Sequence, residues 1–388
     1  MTAGPTIAAD WPAPPLRARQ RLAILAVGLA TYALAWGLQR VPSVVEIAYS
    51  GFIGPLITQP LSFITGIVPF SVAEFVYVGY AGYVVWMGGR GLREIRTKRR
   101  SPAHALAGGA LRICRDAGIV LVLFYTLWGF NYSRPPLETR AGWPAWDGVE
   151  PNELANLTRQ LVRASNAAYL ALHGVQDTGV PTEPPEDIAA VRRALGEGWR
   201  NAVGLLGLPS HMDNRYGRVK WLLSTPVFAR FGVTGFYFPF TAEANVRYDL
   251  PALSLPHAMA HEQAHQRGIA EEAEANFLAF LVGGLSPDPH LRYACLVTGL
   301  LRIAQALVQT DREKWNEIAP EVYAGVRRDQ EHQAAFFRQF VGVGTTVGSA
   351  VNDRYLRANR VEGGIENYGH SIRLMIAFAR RNAGDVVP

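Results

Sequence analysis

The chain has 388 residues, is 49% apolar and only 18% charged, and carries a formal charge of +6. So apolar and weakly charged a chain is not an intrinsically disordered one, and its two cysteines, Cys114 and Cys295, exclude a disulfide framework or a multi-thiolate zinc site. The positive excess is confined to the front: residues 1–130 hold 12 Lys and Arg against 5 Asp and Glu, and residues 131–388 hold 26 against 27. With no basic stripe on the larger part, nucleic acid is not an expected partner.

An uncharged run from Leu22 predicts a membrane helix over about 22–40, long enough to cross about 30 Å of hydrocarbon. A second apolar run, about 70–88, has Glu74 near its start, and a third covers about 105–130. Arg112, Arg115 and Asp116 lie in the first half of the third run, so they either snorkel to the interface or shorten the span. The stretch between the first two runs is apolar but broken by Pro42, Pro55, Pro60 and Pro69, consistent with a re-entrant or interfacial segment. Basic residues precede the first run (Arg17, Arg19, Arg21) and fill RGLREIRTKRR between the second and third, whereas Arg40 stands alone between the first and second. This distribution predicts a cytoplasmic N-terminus, three crossings with the lipid bilayer as partner, and an extracytoplasmic chain after Phe130. The expected organisation is a membrane domain over 1–131 and an extracytoplasmic domain over 132–388.

The second part reads as mainly α. Asn131-Tyr132-Ser133-Arg134 suits an interfacial anchor. Helical periodicity follows at about 151–174, where Pro151 and Glu153 suit a helix start, and at 186–203. The segment 233–249 (VTGFYFPFTAEANVRYD) is the best strand or hairpin candidate, with Pro239 demoting it to an edge or bulged strand. It either pairs with an extended peptide or supports a neighbouring helix; Tyr237, Glu243 and Asn245 are its candidate substrate contacts. Further helices are expected at about 257–267, 271–284, 290–309 and 318–340, with the aromatics of 336–340 in the core.

The chemistry concentrates in residues 256–280, PHAMAHEQAHQRGIAEEAEANFLAF. His261-Glu262-Gln263-Ala264-His265 is an HExxH sequence. Histidines at i and i+4 share a helix face and can reach one cation, while Glu262 can address a metal-bound water without ligating. Ala258, Ala260 and Ala264 suit a buried helix, and Gly268 permits a sharp turn into the next one. A catalytic zinc needs a third protein ligand and an open position; Glu271, Glu272 and Glu274 are the candidates. Asn276, four residues after Glu272, can orient a ligating histidine. Tyr237, Tyr248, His332, Tyr355, Tyr368 and His370 are candidate donors to an oxyanion.

Glu272-Ala-Glu-Ala-Asn276 resembles the ExxA[D/N] element of gluzincin metallopeptidases, in which the leading Glu is the third zinc ligand. The wider chain resembles the bacterial membrane family known as "domain of unknown function 3810", grouped with zincin-like peptidases. The resemblance rests on WGFNYSRPPL (128–137), GFYFPFTAEANV (235–246), HEQAHQRG with EAEANF, and VNDRYLRANRVEGGIENYG (351–369). It departs from many gluzincins in the gap of six residues between His265 and Glu272. The resemblance implies a zincin-like domain anchored in the bacterial inner membrane, facing the periplasm. In it Zn²⁺ is held by His261, His265 and Glu272, and Glu262 is the general base against a peptide or protein substrate. The alternative is a non-enzymatic membrane sensor or scaffold with a structural zinc, whose site a fourth ligand such as His257 or Glu274 closes.

Overall fold

A computed structural model describes residues 17–213, 216–359 and 368–388; residues 360–367 of the last resemblance block and the Tyr368 side chain lie outside the described residues. The chain is mainly α. The N-terminal part contains α1 (Ala18–Leu38), α2 (Pro42–Val44), a π-helical section (Val45–Ile53), α3 (Gly54–Gly66), α4 (Val72–Arg96) and α5 (Pro102–Leu127). The three expected spans thus fall on α1, α4 and α5. Three of the four interrupting prolines sit within helix: Pro42 starts α2, where a missing N–H costs no helical bond, while Pro55 at the start of α3 and Pro60 inside it are carried by a continuous helical stretch; Pro69 lies in the break between α3 and α4.

Among the described residues, three helical stretches are long and apolar enough to cross a membrane, Ala18–Leu38, Pro42–Gly66 and Pro289–Thr310; of the expected spans only α1 is among them, and the stretch expected to be re-entrant takes a place that α4 and α5 do not. Pro289–Thr310 is 61% buried and belongs to the protein core, so its length and hydropathy have another explanation. The N-terminal helices are compatible with membrane anchoring.

Two compact units are present. One combines the chain up to Leu34 with Ala81–Tyr125. In it α1 and α5 meet backbone to backbone at glycines, since a Cβ on Gly28 would lie 2.7 Å from the Gly118 Cα. Arg115 bonds Asp116 at 2.7 Å and the Tyr83 hydroxyl at 3.2 Å, so these two charges are partnered by protein.

The other unit combines Ala35–Tyr80 with Thr126–Pro388. After α6 (Leu137–Arg140) come α7 (Pro151–His173) and α8 (Ile188–Leu206). Each stops at a left-handed glycine, Gly174 (φ 74°) and Gly207 (φ 64°). Next come β1 (Lys220–Trp221), α9 (Thr225–Arg230), β2 (Gly235–Phe238) and β3 (Glu243–Val246). The sheet order is β1-β3-β2, with β1 parallel and β2 antiparallel to β3. Pro239 sits in the turn after β2, where it removes no ladder bond. The remaining helices are α10 (Leu255–Gln266), α11 (Glu272–Gly284), α12 (Pro289–Thr310), α13 (Arg312–Ile318), α14 (Ala324–Arg338), α15 (Val343–Ala358) and α16 (Tyr368–Arg381). α11 is buried from Ala273 to Gly284 and packs against α8, α10, α12 and α16, which makes it the central helix of the core.

Candidate metal centre

Two helices and the turn between them build the site. α10 is lined by Ala258, Ala260 and Ala264, all buried, and their small side chains allow β3 and α11 to approach. Its end is fixed by two tryptophans: Trp199 Nε1 donates to Gln263 Oε1 at 3.0 Å, and Trp128 Nε1 donates to the His265 carbonyl at 3.1 Å. Gly268 follows at φ 83°, a conformation that L side chains rarely adopt, and reverses the chain into α11. Arg134 holds this turn by donating to the Gly268 carbonyl at 2.8 Å, while Glu46 holds Arg134 through two bonds of 2.6 and 2.7 Å.

The turn brings Glu272 back against both histidines. Glu272 Oε2 lies 3.2 Å from His261 Nε2, Glu272 Oε1 lies 3.7 Å from His265 Nε2, and the two Nε2 atoms are 3.1 Å apart. His265 Nδ1 lies 2.7 Å from the Ile269 carbonyl. A carbonyl only accepts, so Nδ1 carries a proton and Nε2 is the His265 atom that faces the group. Two imidazole nitrogens and a carboxylate thus converge on one point, where a positive charge, a proton on Nε2 or a metal ion, relieves their mutual repulsion. The electrostatics express the same demand. Burial opposes a charge on His265, yet the Glu272 carboxylate, its hydrogen bond and Glu262 push the ring up to about 9. Burial likewise disfavours ionised Glu272, but the charge of His265 and hydrogen bonds from both histidines hold it far below the usual carboxylate range. Two imidazole nitrogens and one carboxylate are a donor set that fits Zn²⁺.

Glu262 is 4% exposed, and burial pushes its carboxyl up to about 8. Its Oε2 has no hydrogen-bond partner. It lies against β2: a Cβ on Gly235 would come within 2.9 Å of the Glu262 Cγ and Oε1. Among the described residues, only His261, His265 and Glu272 form a group with metal-ligand spacing.

The other candidates have different occupations. Glu274 accepts from the Leu137 N–H at 2.7 Å and pairs with Arg140, so it anchors the segment before α7. Glu271 faces His370, with Oε2 3.7 Å from Nδ1; His370 also bonds Glu138 at 2.7 Å and is pushed up to about 10 by Glu138 and then Glu271. Asn276 accepts from Arg302 Nη2 at 2.8 Å, in place of the expected contact with a ligating histidine. His257 stacks 6.4 Å from His261, one turn before it, and stays outside the ligand group.

Glu243 is not placed for substrate. It is 1% exposed, pairs with Lys220, and accepts from the N–H groups of Val72 and Ala73 at 3.1 and 2.7 Å, capping the start of α4. Asn245 is fully buried and its amide donates to the carbonyls of Phe236 and Glu243. Tyr237 packs 5.6 Å from Trp128, and its buried hydroxyl has no partner; burial raises its pKa well above the ordinary value. His332 is exposed, and the Tyr355 hydroxyl bonds Tyr132.

Residues 49–376 match the family described as protein of unknown function (DUF3810). The chain belongs to that family. It is the family its sequence blocks resemble, and the match takes in the second half of the π-helical section, the hairpin, α10, α11 and most of α16. No curated protein and no solved structure matches the chain.

Three contacts of the site are not evident from sequence. Glu46 is the lone carboxylate of a long apolar run, which is itself a sign of a functional or paired position. Ser62 in α3 accepts from Gln266 at 2.9 Å, and the spacing of Thr58, Ser62 and Thr65 marks one helix face. Gly235 at the start of a strand signals close backbone approach, but its partner Glu262 is known only from the fold.

Proposed function

We propose that this protein is a membrane-anchored, zinc-dependent metallopeptidase. The observation that carries the reading is the convergence of His261, His265 and Glu272, with all ligand atoms within 4.8 Å of one another, beside the buried and unpartnered Glu262 carboxylate. His261, His265 and Glu272 would hold the ion, which supplies Lewis acidity for activating water and polarising a carbonyl.

The chain's own groups do the remaining work. Glu262 accepts a proton from the attacking water and returns it to the leaving amine. Desolvation of the carboxylate favours a proton carrier working near neutral pH. The bond from His265 Nδ1 to the Ile269 carbonyl fixes that ring's orientation and leaves Nε2 free to ligate. β2 is the outer strand of its sheet, so its unpaired side offers main-chain groups to an extended peptide. The engagement of Glu274 with Arg140 and Leu137 weighs against a four-ligand structural site. The basic segments at the front support a cytoplasmic N-terminus and an extracytoplasmic site.

The test uses detergent-purified parent, Glu262→Gln and His265→Ala proteins, with elemental analysis and peptide-library cleavage on the same samples. The reading expects one zinc in the parent and in Glu262→Gln, none in His265→Ala, and cleavage by the parent alone. Cleavage by Glu262→Gln at the parental rate would overturn it.

A further inference from the structure

The stretch Pro42–Gly66 is two-faced in the sense opposite to a soluble amphipathic helix. Its inward side is polar. Ser62 Oγ accepts from Gly217 N–H at 2.8 Å and from Gln266 Nε2 at 2.9 Å, and Thr65 Oγ donates to the Thr241 carbonyl at 3.0 Å. Its outward side is apolar, with Phe52, Leu56, Phe63 and Ile64 exposed by 63, 60, 64 and 62%. That face is unfavourable in water and matched to hydrocarbon.

Further exposed apolar side chains lie in the same compact unit. Glu74, at the start of α4, accepts from the N–H groups of Leu223 and Ser224 at 2.9 and 2.7 Å, which ties in α9. Leu223 and Val227 there are exposed by 68 and 52%. The carbonyls of Arg230 and Phe231 in turn press on Gly344 and Gly348 of α15. With its glycine face so occupied, α15 turns Val343, Val347 and Val351 outward at i, i+4 spacing, and Tyr355 continues that row. Three separated stretches of sequence, tied to one another by these contacts, thus each expose apolar side chains, together an apolar belt.

The candidate metal centre adjoins this belt at both ends. On one side Gln266, the last residue of α10, bonds Ser62. On the other, Tyr355 bonds the Tyr132 hydroxyl at 3.1 Å, and the Tyr132 ring packs 5.1 Å from Trp128, which donates to the His265 carbonyl. We propose that the belt lies in the bilayer and that the centre acts on polypeptides anchored in that same bilayer, cutting them close to the membrane surface. The substrate class rests on the metallopeptidase reading; the bilayer contact does not. Confinement to one membrane raises the effective concentration of a tethered chain at the site and makes the cutting distance depend on the spacer.

The test uses the full chain in phosphatidylcholine–phosphatidylglycerol liposomes and has two readouts. An environment-sensitive fluorophore is placed at Val347→Cys or, as a polar control, at Arg193→Cys, each with Cys114→Ala; Cys295 is fully buried and stays unlabelled. Nitroxide lipids are expected to quench the label at 347 and to leave that at 193 unchanged; equal quenching overturns the bilayer contact. The second readout is cleavage of one peptide sequence, either free or set about 5 or about 30 residues from a transmembrane anchor, roughly 17 or 100 Å if extended. The near site is expected to be cut on the order of tenfold faster than the other two. Equal rates overturn the substrate class and leave the peptidase reading intact. Quenching at 347 without cleavage of any substrate overturns the peptidase reading and the substrate class together, and leaves the bilayer contact standing.

Discussion

Gly235→Ala reaches the proposed proton carrier without touching a ligand. The added Cβ would lie 2.9 Å from both Cγ and Oε1 of Glu262 and 2.6 Å from the Asn245 carbonyl oxygen. Ordinary contacts between such atoms are about 3.5 Å, so roughly 0.6 Å must be recovered at the side chain and more at the carbonyl. β2 is pinned to β3 by the pairs Gly235↔Val246 and Phe236↔Asn245, whereas the Glu262 Oε2 has no hydrogen bond to hold it. The carboxylate therefore gives way on its side, while the clash with the Asn245 carbonyl is relieved by a local shift of the β2–β3 pairing. A displacement approaching 1 Å in a catalytic group costs about 10²-fold in rate. The variant is expected to keep its zinc and its helical circular dichroism while hydrolysing peptides about 10²-fold more slowly. A parental rate with intact zinc would refute the argument that β2 sets the position of Glu262. Loss of zinc would refute it too, because residue 235 is placed against Glu262 and not against the ligands.

Glu243→Ala removes one partner of a fully buried ion pair and leaves Lys220 uncompensated, which costs about 3–5 kcal/mol. The thermal midpoint in detergent should fall markedly while zinc per folded chain is unchanged; an unaltered midpoint would contradict the structural role. Arg140→Ala strips buried Glu274 of its ion-pair partner and should destabilise by a similar amount, again without loss of zinc. Were zinc lost selectively in the folded protein, Glu274 would have to be reconsidered as a ligand. His211 provides a pH dependence away from the metal centre: burial, and then the Arg134 charge, lower its pKa from 6.5 to about 4. Below pH 6.5 the unfolded chain takes up a proton that the native state refuses, so stability falls as pH drops towards 4. Discounted for partial exposure, the loss is about 2 kcal/mol. His211→Gln should flatten the midpoint-against-pH curve over that window, and equal slopes in parent and variant would remove His211 as the cause.

The centre was legible because its spacing is local. The i, i+4 histidines, the intervening Glu and the turn at Gly268 are all encoded within eight residues, and helix geometry alone brings the two rings together. Which carboxylate joins the two histidines is decided by the angle at which α11 leaves the turn, which the adjacent carboxylates do not reveal; Glu271 and Glu274 are drawn away by His370 and Arg140, from distant segments. The hairpin was readable from its aromatic and β-branched residues, but the meaning of its polar residues was not. Glu243 caps a helix that begins some 170 residues earlier in the chain, and Asn245 bonds its own sheet. Pro42–Gly66 read as ambiguous because hydropathy averages over a helix. Its polar stripe carries the information, and only the fold shows that the stripe faces the protein.

The central claim is that His261, His265 and Glu272 form a zinc site. The most direct test is metal stoichiometry in detergent-purified parent and Glu272→Ala proteins after dialysis against buffered zinc. The account predicts one tightly held zinc per parent chain and at least a tenfold weaker hold in Glu272→Ala, as expected on losing one of three ligands. A parent that binds no zinc under these conditions, or a variant that holds it as tightly, would contradict the account.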